Sequence, residues 1–379
     1  MPIEPAVYAA MVGASWSRAP NGTAEALVDA VMHWAAARDA AWVTLGLAPL
    51  GFACETIRSN DVTNLWARRG TRAPLVCFAG HTDVVPVDDQ PWSSDPWVLS
   101  ERGGKLYGRG TADMKAFIAI AVAHAQQFLD SDAPFAVHFA FSYDEEVGCF
   151  GVRELIADMR DAGIQPLACI VGEPTSMVPA IAHKGVYRYK CCVRGKEAHS
   201  SLTPQSVNAI EMAARLIGKI RDMAEGFEDN EPRYEGFDVP FSTASVGQFH
   251  GGIADNVVPR DAEFRYEFRD LPTADVRAMQ QAVLDQARAL EPGMQRVASD
   301  TGFRFETICE IPSFLGSVDD PVTRLAQRLS GEKGTTLVAF GTEAGMMKAD
   351  SDRWNLPRYV CGWHWKSSEE LIAILSRAG

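Results

Sequence analysis

The stretch PFAVHFAFSYDEEVG, residues 134–148, is the most telling part of this chain. Its first nine residues are almost wholly apolar and sit between a proline and a polar turn. Such a short run predicts a strand buried on both faces, as in a parallel sheet. The run then stops in three neighbouring acids, Asp144, Glu145 and Glu146. Like charges crowded at the end of a buried strand repel one another, so either the strand ends in open water or a cation offsets them.

On either side of this run, residues 74–79 (PLVCFA) predict a strand, 114–129 a helix, 152–159 a second helix and 167–171 (LACIV) a further strand. Strand, helix, strand, helix, strand implies right-handed crossovers and a mostly parallel sheet flanked by helices, an α/β fold. After Glu173 the pattern changes. Residues 187–193 alternate with a period near two, and Thr203-Pro204 predicts a helix start running to Ile220. Strands over 241–249 and 262–268 and a helix over 274–290 complete a small sheet covered on one face. The expected organisation is a first domain of residues 1–179 plus 299–379, with an α+β domain of 180–298 inserted into it.

Composition narrows the function classes. A net charge of -13 and a pI near 5.1 disfavour nucleic acid or an anionic membrane as partner, since both call for a basic face. The eight cysteines form no CxxC pair and several lie in apolar runs, which predicts reduced thiols and a cytoplasmic protein. The first twenty residues lack a charged leader followed by a long apolar core, so neither export nor membrane spanning is expected.

The chemistry lies at the strand ends. The first strand runs into Gly80-His81-Thr82-Asp83, the second into Asp144-Glu145-Glu146, and the third into Gly172-Glu173-Pro174; Asp113 stands near the start of the first helix. The carboxyl ends of parallel strands form the functional crevice of such sheets. One imidazole and several carboxylates therefore converge there, a donor set suited to zinc, cobalt or manganese. Each piece alone has a plainer reading: Asp113 as a helix-dipole acid, Glu145 and Glu146 as a solvated helix start. Their placement after three successive strands favours a metal site.

Residues 80–86 (GHTDVVP), 107–115 (YGRGTADMK), 143–148 (YDEEVG), 171–175 (VGEPT) and 197–201 (EAHSS) resemble the motifs of the dinuclear zinc amidohydrolases and peptidases. That family holds acetylornithine deacetylases, succinyl-diaminopimelate desuccinylases, aminoacylases and some carboxypeptidases, and the resemblance runs over about residues 75–345. It implies a zinc-peptidase-like catalytic domain, an inserted lid and dimerisation domain, and two zinc ions per subunit, with cobalt as an alternative. By resemblance His81, Asp113 and Glu173 hold the first ion, and Asp113 and Glu146 the second. Glu145 is the general base, and Asp83 orients His81. His199 reaches across a homodimer to the oxyanion, and Asn256 and Arg269 grip the substrate carboxylate. Glu343 pairs with a substrate ammonium; its alternative is a solvent-facing turn acid. For Asn256 and Arg269 the alternatives are a turn residue and a strand-end ion pair.

Residues 144–149, 183–185, 198–204 and 341–344 (GTEA) look closest to the acetylornithine deacetylase branch, which acts on a small N-acyl amino acid. Desuccinylase, aminoacylase and dipeptidase activities are the alternatives. Near the end the chain departs from the family: the cysteine-glycine-proline-glycine segment and the lysine-proline signature are missing, and His364 is the histidine available for the second ion. That departure motivates a reading of another class, a non-catalytic ligand-binding homologue.

Overall fold

The structure is a computed structural model that describes residues 47–48, 51–59, 62–69, 75–103, 105–130, 136–164, 166, 168–351 and 358–360. Contacts divide the chain into two units: Met1–Ile181 with Gly316–Thr336 and Thr342–Gly379, and Ala182–Leu315 with Leu337–Gly341. In chain order the elements are β1 (Ala53–Ser59), β2 (Val62–Arg69), β3 (Leu75–His81), β4 (Ser100–Arg102), β5 (Lys105–Tyr107), α1 (Ala116–Asp130), β6 (Ala136–Ser142), α2 (Phe150–Asp161), β7 (Ala168–Val171) and β8 (Ala180–His183). Next come β9 (Val186–Arg194), α3 (Ala209–Asn230), β10 (Thr243–Gly251), β11 (Asp261–Arg269), α4 (Val276–Gln295), β12 (Gly302–Ile311) and β13 (Phe314–Leu315). The last are α5 (Pro321–Ser330), β14 (Thr336–Val338), α6 (Glu343–Ser351) and β15 (Arg358–Val360).

In the first unit the strand order is β1-β2-β6-β3-β7-β15-β8. Its centre, β6-β3-β7-β15, is parallel, and the margins are antiparallel. Every residue of β6 is buried, which is why the run over 134–142 is almost wholly apolar instead of alternating, with His138 and Ser142 as its polar members. Val76, Phe78, Val137, Phe139 and Phe141 pack with Phe117, Ile118 and Val122 of α1 in one core. Register then levels the strand ends: His81 is the Cα partner of Ser142, and Ala79 that of Val171, so Glu173 stands level with His81. A Cβ on Gly172 would lie 2.1 Å from the Phe117 ring, so glycine here lets the start of α1 press against the end of β7.

The second unit is an antiparallel sheet of order β10-β11-β9-β12. Tyr189, Cys191 and Val193 of β9 and Phe264, Tyr266 and Phe268 of β11 face Leu216 and Ile220 of α3 and Met279 and Val283 of α4. Two expectations are corrected. Residues 302–311 pair with β9, so the chain stays in this sheet to Ile311 and in this unit to Leu315, rather than leaving at 298. And α3 begins at Ala209, because Thr203 and Pro204 lie in a separate short 3-10 turn, Ser200–Gln205, and Val207 then bridges to Lys196. Asn208, not Thr203, caps it, accepting from the N–H groups of Ile210 and Glu211.

His183, at the end of β8, is fully buried; its Nδ1–H donates to the Lys184 carbonyl (2.9 Å) and Nε2 has no partner. Burial pushes the imidazole down to about 4. A depressed folded value means that protonation favours unfolding, so its stability contribution is whole above about pH 6.5 and is lost as pH falls toward 4. Between about pH 7 and pH 5 the wild type is expected to lose about 2 kcal/mol more than His183→Leu in urea unfolding. Equal losses would contradict a buried neutral imidazole.

Candidate metal centre

The three acids at residues 144–146 are held by side chains distant in sequence. Asn64, buried on β2, accepts from the Tyr143 N–H (3.2 Å) and donates to the Gly151 carbonyl (2.8 Å), so one amide splints the end of β6 to the start of α2. A Cβ at Gly151 would lie 2.5 Å from the Tyr143 carbonyl, which requires glycine there. The Asp83 carboxylate accepts from the N–H groups of Glu145 and Glu146, each at 3.1 Å. It thereby ties the end of β3 to the turn after β6 and fixes where both glutamates start.

His81 is fully buried, and its Nδ1–H donates to the Asp83 carbonyl (3.0 Å), with an Asp83 carboxylate oxygen at 3.5 Å. Fixing Nδ1 as donor leaves the Nε2 lone pair pointing outward, the arrangement a metal-ligating histidine needs. That Nε2 lies 3.0 Å from Asp113 Oδ1 and 3.7 Å from Glu173 Oε1. Three acceptor atoms face one another, which only a proton or a cation can reconcile. Asp113 sits on an extended turn before α1, and its peptide bond to Met114 is cis.

The energetics tell the same story. Burial opposes charge on His81, yet hydrogen bonds to Asp113 and Asp83 and the charges of Glu173 and Glu145 raise its imidazole well above the ordinary value. Burial, with Glu145, Asp113 and Glu343 beside it, raises Glu173 well above the carboxylate range. Burial, then Glu343 and Glu146, pushes Glu145 up to about 8; burial and neighbouring Asp113 raise Glu146. Without a cation this cluster holds protons it would not hold in water. Buried Glu173 Oε1 has no hydrogen-bond partner, an orphan acceptor aimed at His81.

Donor atoms of His81, Asp113 and Glu146 lie within 4.8 Å of one another, and so do those of His81, Glu145 and Glu173. The structure thus brings together five of the expected residues, with Asp83 behind them. Their grouping differs from the one the resemblance implies, since Glu145 falls among the donors of one set. These residues fit a cation: imidazole nitrogen with carboxylate oxygens is the hard-to-borderline set that divalent zinc, cobalt or manganese takes.

Glu343, at the start of α6, is 1% exposed, which corrects the alternative of a solvent-facing turn acid. Ser142 donates to its Oε1, its Oε2 is buried without a partner, and burial, with Asp83 nearby, pushes it up to about 7. In the second unit, exposed His199 caps the short turn Ser200–Gln205 and pairs through Nδ1 with Ser201 Oγ at 2.8 Å. The carbonyl of exposed Asn256 accepts from the Ser200 N–H (2.9 Å), so these two segments adjoin. The Arg269 fork is filled by Glu267 at 3.0 and 3.2 Å, the strand-end ion pair. His364 lies outside the described residues. Asn64 and Ser142 escape a reading of the sequence: β2 gives no clean apolar run around Asn64, and Ser142 reads only as the polar residue that ends β6.

An imidazole and four carboxylates over the ends of parallel strands define a class, α/β proteins that hold metal at the edge of the sheet. Residues 77–351 match the family described as peptidase family M20/M25/M40. The chain belongs to that family, whose members are metal-dependent hydrolases of amide bonds. It is 38% identical over 254 residues to a succinyl-diaminopimelate desuccinylase of Herminiimonas arsenicoxydans, a match spanning 63% of this chain and 66% of that protein, just under two thirds. It is 33% identical over 281 residues to an acetylornithine deacetylase of Shigella sonnei, covering 74% of this chain and 71% of that one. An aminopeptidase structure from Bacillus cereus shares the fold at a TM-score of 0.65 and 18% identity, covering 94% of this chain and 96% of its own. Among the described residues no helix is long and apolar enough to cross a membrane.

Proposed function

We propose that the chain is a metal-dependent hydrolase that cleaves the acyl amide of a small N-acyl amino acid. The observation that carries this is the convergence of His81 Nε2 with the carboxylates of Asp113, Glu145, Glu146 and Glu173, among them the orphan oxygen of Glu173. A divalent cation held there supplies the positive charge that polarises an amide carbonyl and makes water acidic enough to attack at neutral pH. His81, Asp113, Glu146 and Glu173 hold it, with zinc the first candidate and cobalt the alternative. Glu145 takes the proton of the attacking water and returns it to the departing amine. Asp83 sets the geometry of both His81 and Glu145, because it touches the ring of one and the backbone of the other.

The finer reading is removal of acetyl from N-acetylornithine, giving ornithine and acetate, a step of arginine biosynthesis in the cytoplasm. The relative of that name and the GTEA stretch at 341–344 support it. The desuccinylase relative supports the second reading, N-succinyl-diaminopimelate, with higher identity over a shorter match. Glu343 pairing with a substrate ammonium belongs to this proposal, as do His199 at the oxyanion, Asn256 and Arg269 at the carboxylate, and a homodimer. For Arg269 that role requires exchanging Glu267 for substrate. The test is amine release by zinc- or cobalt-loaded protein from N-acetylornithine, N-succinyl-diaminopimelate and a set of dipeptides. N-acetylornithine is expected to give the highest kcat/KM; preference for the succinyl substrate overturns the finer reading, and no turnover of any overturns the proposal.

A further inference from the structure

Cys77 of β3 and Cys169 of β7 are Cα partners on adjacent parallel strands, so their side chains leave the same face of the sheet as neighbours. Cys169 Sγ lies 3.3 Å from Met347 Sδ, and register sets Cys77 beside Cys169, so the three sulfur side chains are neighbours. All are buried: Cys77 is 1%, Cys169 6% and Met347 9% exposed. None belongs to the carboxylate cluster, since Cys77 precedes His81 by four residues and Cys169 precedes Glu173 by four. Met347 lies one helical turn beyond Glu343 on α6, so the two share a face of that helix. Oxygen-rich donors therefore occupy one level of the first unit and sulfur donors another.

We infer that Cys77, Cys169 and Met347 form a second metal site, one that takes a soft monovalent cation of the copper(I) or silver(I) kind through three sulfurs. A thioether is a poor partner for zinc and a good one for copper(I), so Met347 decides the class of ion. Charge agrees with burial. On binding, one S–H bond breaks, one sulfur–metal bond forms, and the proton leaves to solvent. The other thiol and the thioether donate lone pairs, and a neutral buried group replaces a neutral buried group. Packing alone accounts for any one of these residues, because free cysteine and methionine serve as core hydrophobes. Retention of a soft ion is what separates a site from packing.

The experiment uses the full chain with its carboxylate centre first saturated with zinc. Copper(I) is added without oxygen against a competing chelator, and the copper is counted and its neighbours read by X-ray absorption. The wild type is expected to retain one equivalent with three sulfur neighbours. Cys77→Ser combined with Cys169→Ser is expected to lose that equivalent, and Cys192→Ser, a half-buried thiol outside the group, to keep it. Met347→Leu conserves volume and fold, and is expected to drop the sulfur count to two and weaken retention about tenfold or more. No retention by the wild type, equal retention by the double variant, unchanged coordination in Met347→Leu, or nitrogen and oxygen neighbours only would each overturn the site. If the double variant does not fold, Met347→Leu decides.

Discussion

Glu145→Gln is expected to keep its metal and to lose turnover by about 10²–10⁴-fold, the usual worth of a general base. The amide preserves the size of the side chain, its oxygen can still accept from the Cys149 thiol (3.5 Å), and the Glu145 N–H keeps its bond to Asp83, so the turn is expected to survive. What disappears is the ability to accept a proton. Burial, with Glu343 and Glu146 alongside, pushes this carboxyl up to about 8, so it holds a proton far more readily than a solvated glutamate. Its position within 4.8 Å of donor atoms on His81 and Glu173 leaves a competing role as ligand. Metal analysis of the purified variant separates the two. Turnover lost with full metal supports the base, and turnover lost in step with metal makes Glu145 a ligand.

His81→Ala is expected to be the most damaging substitution for metal binding. Both donor groups include His81, and it is the only nitrogen in either. Outer-shell substitutions around metal sites already cost about 10–100-fold in affinity or activity, so loss of a direct ligand shared by both groups is expected to exceed about 100-fold in affinity. The remaining carboxylates would still repel one another with less cation to offset them. Calorimetric titration of zinc into the variant checks this. Wild-type affinity in His81→Ala would remove the imidazole from the site and leave Asp113 and Glu173 without a common centre.

How much of the fold and site is legible in the sequence depends on distance along the chain. β3, β6 and β7 are readable because each is a short apolar run ended by polar residues, and the metal candidates because they stand at the ends of those runs or, for Asp113, at the start of the helix that follows β3. Their convergence is a matter of register, which parallel pairing levels across the sheet. The antiparallel margins are not readable: β1 and β2 carry Arg58, Arg68 and Arg69 among their residues and give no clean apolar run. In the second unit, β12 reads as part of the wrong domain because pairing with β9 joins residues more than about a hundred positions apart, as Gly302 with Arg194. The supports of the site escape for the same reason. Nothing local to Asn64 or Ser142 announces that one splints the acidic turn and the other holds Glu343. Glu343 illustrates the limit most plainly, since a glutamate after Gly341-Thr342 reads equally as a partner for a substrate ammonium or as a surface turn acid until α6 is seen to bury it.

In the proposed function, the acids around His81 hold a cation that makes amide hydrolysis possible. Wild-type protein stripped by a chelator and reloaded with zinc in steps, with bound metal and released amine counted on the same samples, puts this to the test. No hydrolysis is expected without metal, and activity is expected to rise with occupancy of the His81 cluster. Undiminished hydrolysis by the metal-free protein would contradict it.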